Sequence, residues 1–196
     1  MSSADVFKKN GCVKVDQFID DATVGIVSQY LENRIRRGEW VEGNDGKFTP
    51  SKLYCYADPL VEVLLLKCKE HVEGTTGKEL LPTYSYSRVY QPGEQLVPHV
   101  DRPSCEISVT VNVATKGGVS SFYTQYGDNS PEEHVLSAGD ALIYKGCEAQ
   151  HWRKPLEQGQ LNVQFMLHYV DKNGPYTSFA KDNRPAYGMH EATRRI

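Results

Sequence analysis

The sequence predicts an α+β fold: a helical first third, then a sandwich or barrel of about eight short strands. Residues 1–80 hold two amphipathic stretches with helix start and stop signals. After Pro82 the texture changes to short alternating runs punctuated by Gly, Pro and Asn, the pattern of closely spaced strands. No repeat, low-complexity tract or composition break divides the 196 residues, a length suited to one domain with a sizeable core.

Each element has a local reason. Asp20 and Asp21 precede Val24, Val27, Leu31 and Ile35, spaced at helical steps. Arg34, Arg36 and Arg37 fall late, at the negative end of the helix dipole, and Gly38 is a stop. For a second helix, Asp58 is the cap and Pro59 takes the first helical position. Its stripe is Leu60, Val63, Leu64, Lys67, Cys68 and Val72, ending near Gly74. Between the two helices, residues 41–50 read as a Gly/Asn/Asp-rich loop, a candidate groove or lid wall. Residues 83–90 alternate as a strand, with Tyr84, Tyr86, Arg88 and Tyr90 on one face. Gln91-Pro92-Gly93-Glu94 is a turn, and β-like runs follow at about 95–100, 106–113, 119–124, 133–136, 140–145, 148–153 and 161–169. The expected division is a helical segment over 1–80, a barrel over 83–170 and a polar tail over 171–196 that wraps the barrel or frays.

Composition narrows the function. Lys+Arg 22 against Asp+Glu 25 gives a net charge of −3, so nucleic acid is not an expected partner. No apolar run approaches the roughly 20 residues of a membrane span, and residues 1–10 lack a signal-peptide core. The 5 cysteines form no C-x-x-C pair, which argues against zinc-ribbon and thioredoxin readings. Free thiols in a reducing, cytoplasmic setting are the simplest expectation.

The chemistry begins at His99-Val100-Asp101. On a strand, residues i and i+2 share a face, so both side chains reach one ion. His151 follows 50 residues after Asp101, on a strand preceded by Gly139-Asp140-Ala141-Leu142-Ile143-Tyr144. Two histidines and one carboxylate make the facial triad of non-haem Fe(II) oxygenases, which leaves positions open for small ligands.

Tyr90-Gln-Pro-Gly-Glu-Gln-Leu-Val-Pro-His99-Val-Asp101 resembles the first metal motif of prolyl-hydroxylase-like Fe(II)/2-oxoglutarate dioxygenases. Gly139-Asp140 ahead of His151 resembles the approach to their distal histidine, and residues 7–18 look like the N-terminal strand of phytanoyl-CoA-hydroxylase-like members. The resemblance spans most of residues 5–170. It implies a cupin-like double-stranded β-helix (jelly roll), with the N-terminal helices on one face. It also implies Fe(II) on His99, Asp101 and His151, with 2-oxoglutarate and O2 as co-substrates. The implied reaction is hydroxylation of a peptidyl side chain or small metabolite, with release of succinate and CO2. It sets no oligomeric state.

One departure stands out. The family anchors the far carboxylate of 2-oxoglutarate on an Arg or Lys about ten residues past the distal histidine, but residues 157–164 hold no cation. Arg153, on the same side of its strand as His151, is the first choice, and Arg88, in register with Tyr90, is the second. Tyr90 matches the family tyrosine that hydrogen-bonds the co-substrate. Lys145 and Arg102 are placed at the mouth. Gln160, Asn162 and Gln164 alternate as polar barrel residues, and buried polar groups need partners. At least one of Tyr84, Tyr86 and Tyr90 is expected to pack against the helices, and Trp152 to point away from the site into the core. His71 is expected on a helix surface and His134 in a polar turn. His168, on the last strand, is a candidate partner behind the ligands. Cys105 and Cys147 are read as small core residues. Two other functions fit: a non-catalytic metal-binding or interaction jelly roll, supported by the missing cation, and a zinc hydrolase on the same donors. Asp101 argues against a halogenase, which leaves that position to chloride.

Overall fold

The computed structural model describes residues 1–40 and 53–188. The expected 41–50 loop, His190 and the end of the tail lie outside these residues. The chain opens with α1 (Ser3–Asn10), whose Ser2 and Asp5 cap each other reciprocally, and Gly11 at φ 73 ends it. β1 (Cys12–Val15) and α2 (Asp21–Arg36) follow, and Asp20 accepts the Thr23 N–H at the start of α2. After β2 (Leu53–Tyr56), Asp58 accepts the N–H groups of Leu60 and Val61 and starts α3 (Pro59–Lys67). α4 (Lys69–Thr76) ends at Gly77, φ 69. The expected second helix is thus two helices parted at Cys68, and Gly74 lies inside the second.

Eight strands follow: β3 (Leu80–Tyr90), β4 (Leu96–His99), β5 (Ile107–Lys116), β6 (Ser120–Gln125), β7 (Glu132–Leu136), β8 (Ala141–Lys145), β9 (Gln150–Arg153) and β10 (Leu161–Asp171). The main sheet runs β1-β8-β5-β10-β3-β2 and the small sheet β4-β9-β6-β7, with every adjacent pair antiparallel. Ten strands therefore form among the described residues, where the sequence predicts about eight. The extra two lie in the first 80 residues: β1, within the 7–18 segment that resembles an N-terminal strand, pairs with β8 (Cys12↔Tyr144), and β2, which the sequence does not announce, pairs with β3 (Cys55↔Ser87). Runs of four residues carry little periodic signal, and a partner strand decides them.

The main sheet's period of two separates its faces. Val109, Val111, Phe165 and Leu167 pack with Val27, Leu31, Val61 and Leu65 of the helices, the expected helix-covered face. The opposite face carries Ser108, Thr110, Asn112, Arg88, Gln164 and His168, all buried. Tyr90, Leu142 and Tyr144 from that side meet Leu96, Phe122 and Leu136 of the small sheet. The polar interior lies between the two sheets of this jelly roll. Residues 171–188 wrap it: Arg184 is buried on Glu62 (2.6 Å) and on the Thr83 carbonyl (2.9 Å). Among the described residues, no helix is long and apolar enough to cross a membrane.

Candidate metal centre

The β4–β9 ladder sets His99 opposite His151, with ring centroids 4.3 Å apart. Asp101 follows just past β4, and its N–H donates to the Gly146 carbonyl at 2.8 Å, which ties the β4 exit to the β8 exit. Each imidazole is oriented by its own strand. His99 Nδ1 lies 2.8 Å from the Val97 carbonyl and His151 Nδ1 3.0 Å from that of Ala149. A carbonyl only accepts, so both Nδ1 atoms carry hydrogen and Nε2 is the atom each ring offers, as a lone pair in the neutral tautomer, to an ion at the centre. Those Nε2 atoms lie 3.6 and 3.4 Å from Asp101 Oδ1. One donor atom from each residue lies within 4.8 Å of the others. The Tyr144 ring (4.7 Å) and the Phe122 ring (5.8 Å) wedge the His151 imidazole.

The carboxylate has its own support. Ser108 Oγ donates to Asp101 Oδ2 at 2.8 Å and lies 2.9 Å from His168 Nδ1. With its hydrogen given to Asp101, Ser108 accepts from His168 Nδ1–H, so a chain of two hydrogen bonds fixes Oδ2 and turns Oδ1 towards the imidazoles. Gly146 makes room for this: a Cβ there would lie 2.7 Å from both Asp101 Oδ2 and Ser108 Oγ. Burial alone would raise Asp101, but the positive charge of His151 and hydrogen bonds from the His151 and His99 rings, made when Nε2 carries the proton that a metal would displace, more than offset it and hold the carboxyl far below its usual range. Burial pushes His168 down to about 4, so it is neutral at neutral pH. Two lone-pair nitrogens and one ionised carboxylate oxygen are a donor set suited to Fe(II) or Zn(II).

The centre opens into a cavity of about 510 Å³. Its main-sheet wall includes Tyr84, Tyr86, Arg88 and Tyr90, so the expectation that one of these tyrosines packs against the helices is corrected. Two buried arginines flank Tyr90, with guanidinium carbons 5.5 Å (Arg88) and 5.0 Å (Arg153) from its ring centroid. Arg88 lines the cavity and its Nη1 is 3.5 Å from Tyr90 Oη. Arg153 lies behind the lining. Its Nη2 donates to Gln164 Oε1 at 2.7 Å, while Nε and Nη1 make no hydrogen bond among the described residues.

Other residues fall elsewhere than expected. His134 is on β7, not in a turn, and is buried against Thr124 Oγ1 at 2.8 Å. Trp152 does point away from the site, but onto the partly exposed outer face of the small sheet, stacked on Tyr123 at 5.6 Å. Gln160 precedes β10 and accepts the Glu157 N–H, whereas Asn162 and Gln164 do face the interior. Lys145 bonds Tyr126 (2.5 Å), away from the cavity lining, and Arg102 lines the mouth. Sequence reasoning missed Ser108 and Gly146. The alternation Ser108-x-Thr110-x-Asn112 in an otherwise apolar strand was the available signal for a polar inner face.

No family model matches the chain, and no curated protein matches it in sequence. Solved structures do match in fold. SnoN, a non-heme alpha-ketoglutarate-dependent epimerase from nogalamycin biosynthesis, gives a TM-score of 0.73 at 13% identity, over 95% of this chain and 90% of that one. A Trichoplax adhaerens prolyl hydroxylase, solved with a hypoxia-inducible-factor peptide, gives 0.70 at 14% over 93% and 91%. A Pseudomonas putida prolyl-4-hydroxylase gives 0.69 at 13% over 86% and 97%. The fold is therefore the one shared by Fe(II)/2-oxoglutarate-dependent oxygenases, as the sequence resemblance implies.

Proposed function

We propose that the chain is an Fe(II)/2-oxoglutarate-dependent oxygenase that hydroxylates a peptidyl side chain or a small metabolite. The observation that carries this reading is the convergence of His99 Nε2, His151 Nε2 and Asp101 Oδ1 at the head of a cavity with the buried Arg88 on its wall. In this reading His99, Asp101 and His151 hold Fe(II). Bound iron with 2-oxoglutarate and O2 supplies oxidation of a substrate C–H bond, as the co-substrate leaves as succinate and CO2. The chain's own residues do the rest. The Val97 and Ala149 carbonyls fix hydrogen on Nδ1 and aim each Nε2 at the centre, and Ser108 holds the carboxylate by one oxygen. Solved neighbours with the same fold include SnoN with Fe3+ and alpha-ketoglutarate and HygX with nickel and 2-oxoglutarate. Five unpaired thiols fit a reducing compartment, and the reading places the protein in the cytoplasm.

The far carboxylate of 2-oxoglutarate needs a cation, because an unpaired buried charge costs several kcal/mol. Arg88 faces the cavity, but Arg153 is the guanidinium with two nitrogens lacking acceptors. A buried donor without a partner is itself unfavourable. The reading therefore assigns the carboxylate to Arg153, with Tyr90 contributing a hydrogen bond. The test is a 2-oxoglutarate titration followed by succinate release for wild type, Arg153→Ala and Arg88→Ala. Arg153→Ala should weaken 2-oxoglutarate binding by about 2–5 kcal/mol and leave metal affinity nearly unchanged. A wild-type-like Arg153→Ala beside a weakened Arg88→Ala moves the anchor to Arg88. Wild type that binds metal but never yields succinate overturns the oxygenase reading.

A further inference from the structure

Arg102, the residue after Asp101, lies at the cavity mouth with its guanidinium carbon 4.7 Å from the Tyr84 ring centroid. Its Nη1 and Nη2 donate to Asp182 Oδ1 and Oδ2, each at 2.8 Å. The Tyr56 hydroxyl donates to the same Oδ2, and the Tyr56 ring stacks on Tyr84 at 5.0 Å. A guanidinium fork plus a phenol O–H, backed by stacked rings, is a carboxylate receptor. Its occupant here is the chain's own carboxylate.

The way Asp182 is presented is unusual. Lys181, Asp182 and Asn183 have φ of 56, 52 and 58, three consecutive non-glycine residues in the left-handed region. Asp and Asn tolerate that region, whereas lysine is disfavoured there. The next residue, Arg184, is extended and locked by its buried pairing with Glu62 and Thr83. The segment thus has a fixed anchor at 184 and a strained reach at 181–183 that ends on cavity-lining residues.

We propose that Arg102 and Tyr56 recognise a carboxylate of the primary substrate, and that Asp182 is an internal stand-in which that carboxylate displaces. The inference rests on the oxygenase reading for calling the ligand a substrate. A tethered carboxylate competes at an effective concentration in the millimolar range. It therefore screens the mouth against neutral compounds, which cannot replace its three hydrogen bonds, and against weakly held anions.

The probes are N-acetylglycine, its neutral amide N-acetylglycinamide, and N-acetyl-aspartate N-methylamide, titrated with 2-oxoglutarate present and absent. Asp182→Asn should tighten binding of a carboxylate probe at least tenfold and leave the amide unchanged. Adding Arg102→Gln should abolish that gain. A gain for N-acetylglycine alone indicates a free-acid substrate, and a gain for the aspartate probe alone an acidic side chain in a peptide. In wild type, saturating carboxylate probe should speed hydrogen exchange of the Arg184 N–H, which is bonded to the Lys181 carbonyl at 3.0 Å, while the amides of β3 stay protected. This measurement stands by itself if Asp182→Asn fails to fold. Unchanged affinity in a folded Asp182→Asn, a gain that survives Arg102→Gln, or unaltered exchange at saturation overturns the inference. Succinate release by wild type tests the oxygenase reading separately. Its failure beside intact carboxylate displacement would leave the receptor and remove its role towards a substrate.

Discussion

Two buried histidines lie on either side of β6, His151 on β9 and His134 on β7, each with a carboxylate and a further donor within reach. They differ in which nitrogen is used, and for what. His151 gives Nδ1 to a backbone carbonyl and keeps Nε2 for Asp101, at the head of a cavity. His134 gives Nε2 to Thr124, with Cys12 Sγ 3.9 Å away, and its Nδ1 faces a mostly exposed Glu132 at 3.9 Å. The second group closes on itself and joins the β1 edge of one sheet to the β7 edge of the other. Proximity of His, Cys and carboxylate does not make a metal site. A site needs lone pairs that no neighbour consumes, aimed at a common point.

The sharpest way to break this contrast is to remove each histidine. His99→Ala or His151→Ala should abolish metal binding, read by equilibrium dialysis with metal analysis. His134→Ala should bind metal as wild type does and lose about 1–3 kcal/mol of stability in denaturant melts, through its buried partners. Metal loss in His134→Ala, or full affinity in His151→Ala, would reverse the two assignments. A smaller effect should come from the support of Asp101: Ser108→Ala should lower metal affinity about 10–100-fold, the usual cost of losing such a partner.

Acid should separate the regions further. His168 is held at about 4 in the folded chain, against about 6.5 when unperturbed. Between those values the unfolded chain takes up a proton that the folded chain refuses, so stability falls as pH falls through that window. Below about 4 this group contributes no further change, and Asp101, whose folded value is depressed, loses its contribution only in that lower range. The His168 difference corresponds to about 3 kcal/mol. Melting temperature followed from pH 7 to 4 should slope less in His168→Gln than in wild type. The smallest expected effect is Thr124→Val, about 1 kcal/mol of stability with metal affinity unchanged.

The metal donors were legible in sequence as a His-x-Asp spacing followed by His151 on a later strand, although Asp101 lies just past β4 and is placed by its N–H bond to Gly146 and by Ser108 rather than by strand periodicity. The inward row of Tyr84, Tyr86, Arg88 and Tyr90 was legible from strand periodicity. Which wall that row faces was not, because a period of two fixes the sides of a strand and not what covers them. His134 sits in Glu132-Glu133-His134, which reads as solvated until β6 supplies a partner strand. Ser108 and Gly146 act through Asp101 from other segments, and no local pattern ties them to it. The Asp182 contact joins residues 80 apart in sequence, beyond the reach of any periodicity.

β10 occupies an interior position of the main sheet, hydrogen-bonded to β5 on one side and β3 on the other, although it is the last strand in chain order among the described residues. During synthesis, β3 and β5 therefore emerge with no partner between them, each presenting an unpaired edge until residues 161–171 arrive. β1 waits as well, since its partner β8 follows it by more than a hundred residues. Pairings this distant make for slow folding. A chain halted before residue 161 would lack the strand that seals the sheet and should be captured by chaperones or aggregate, whereas one released after residue 171 can close.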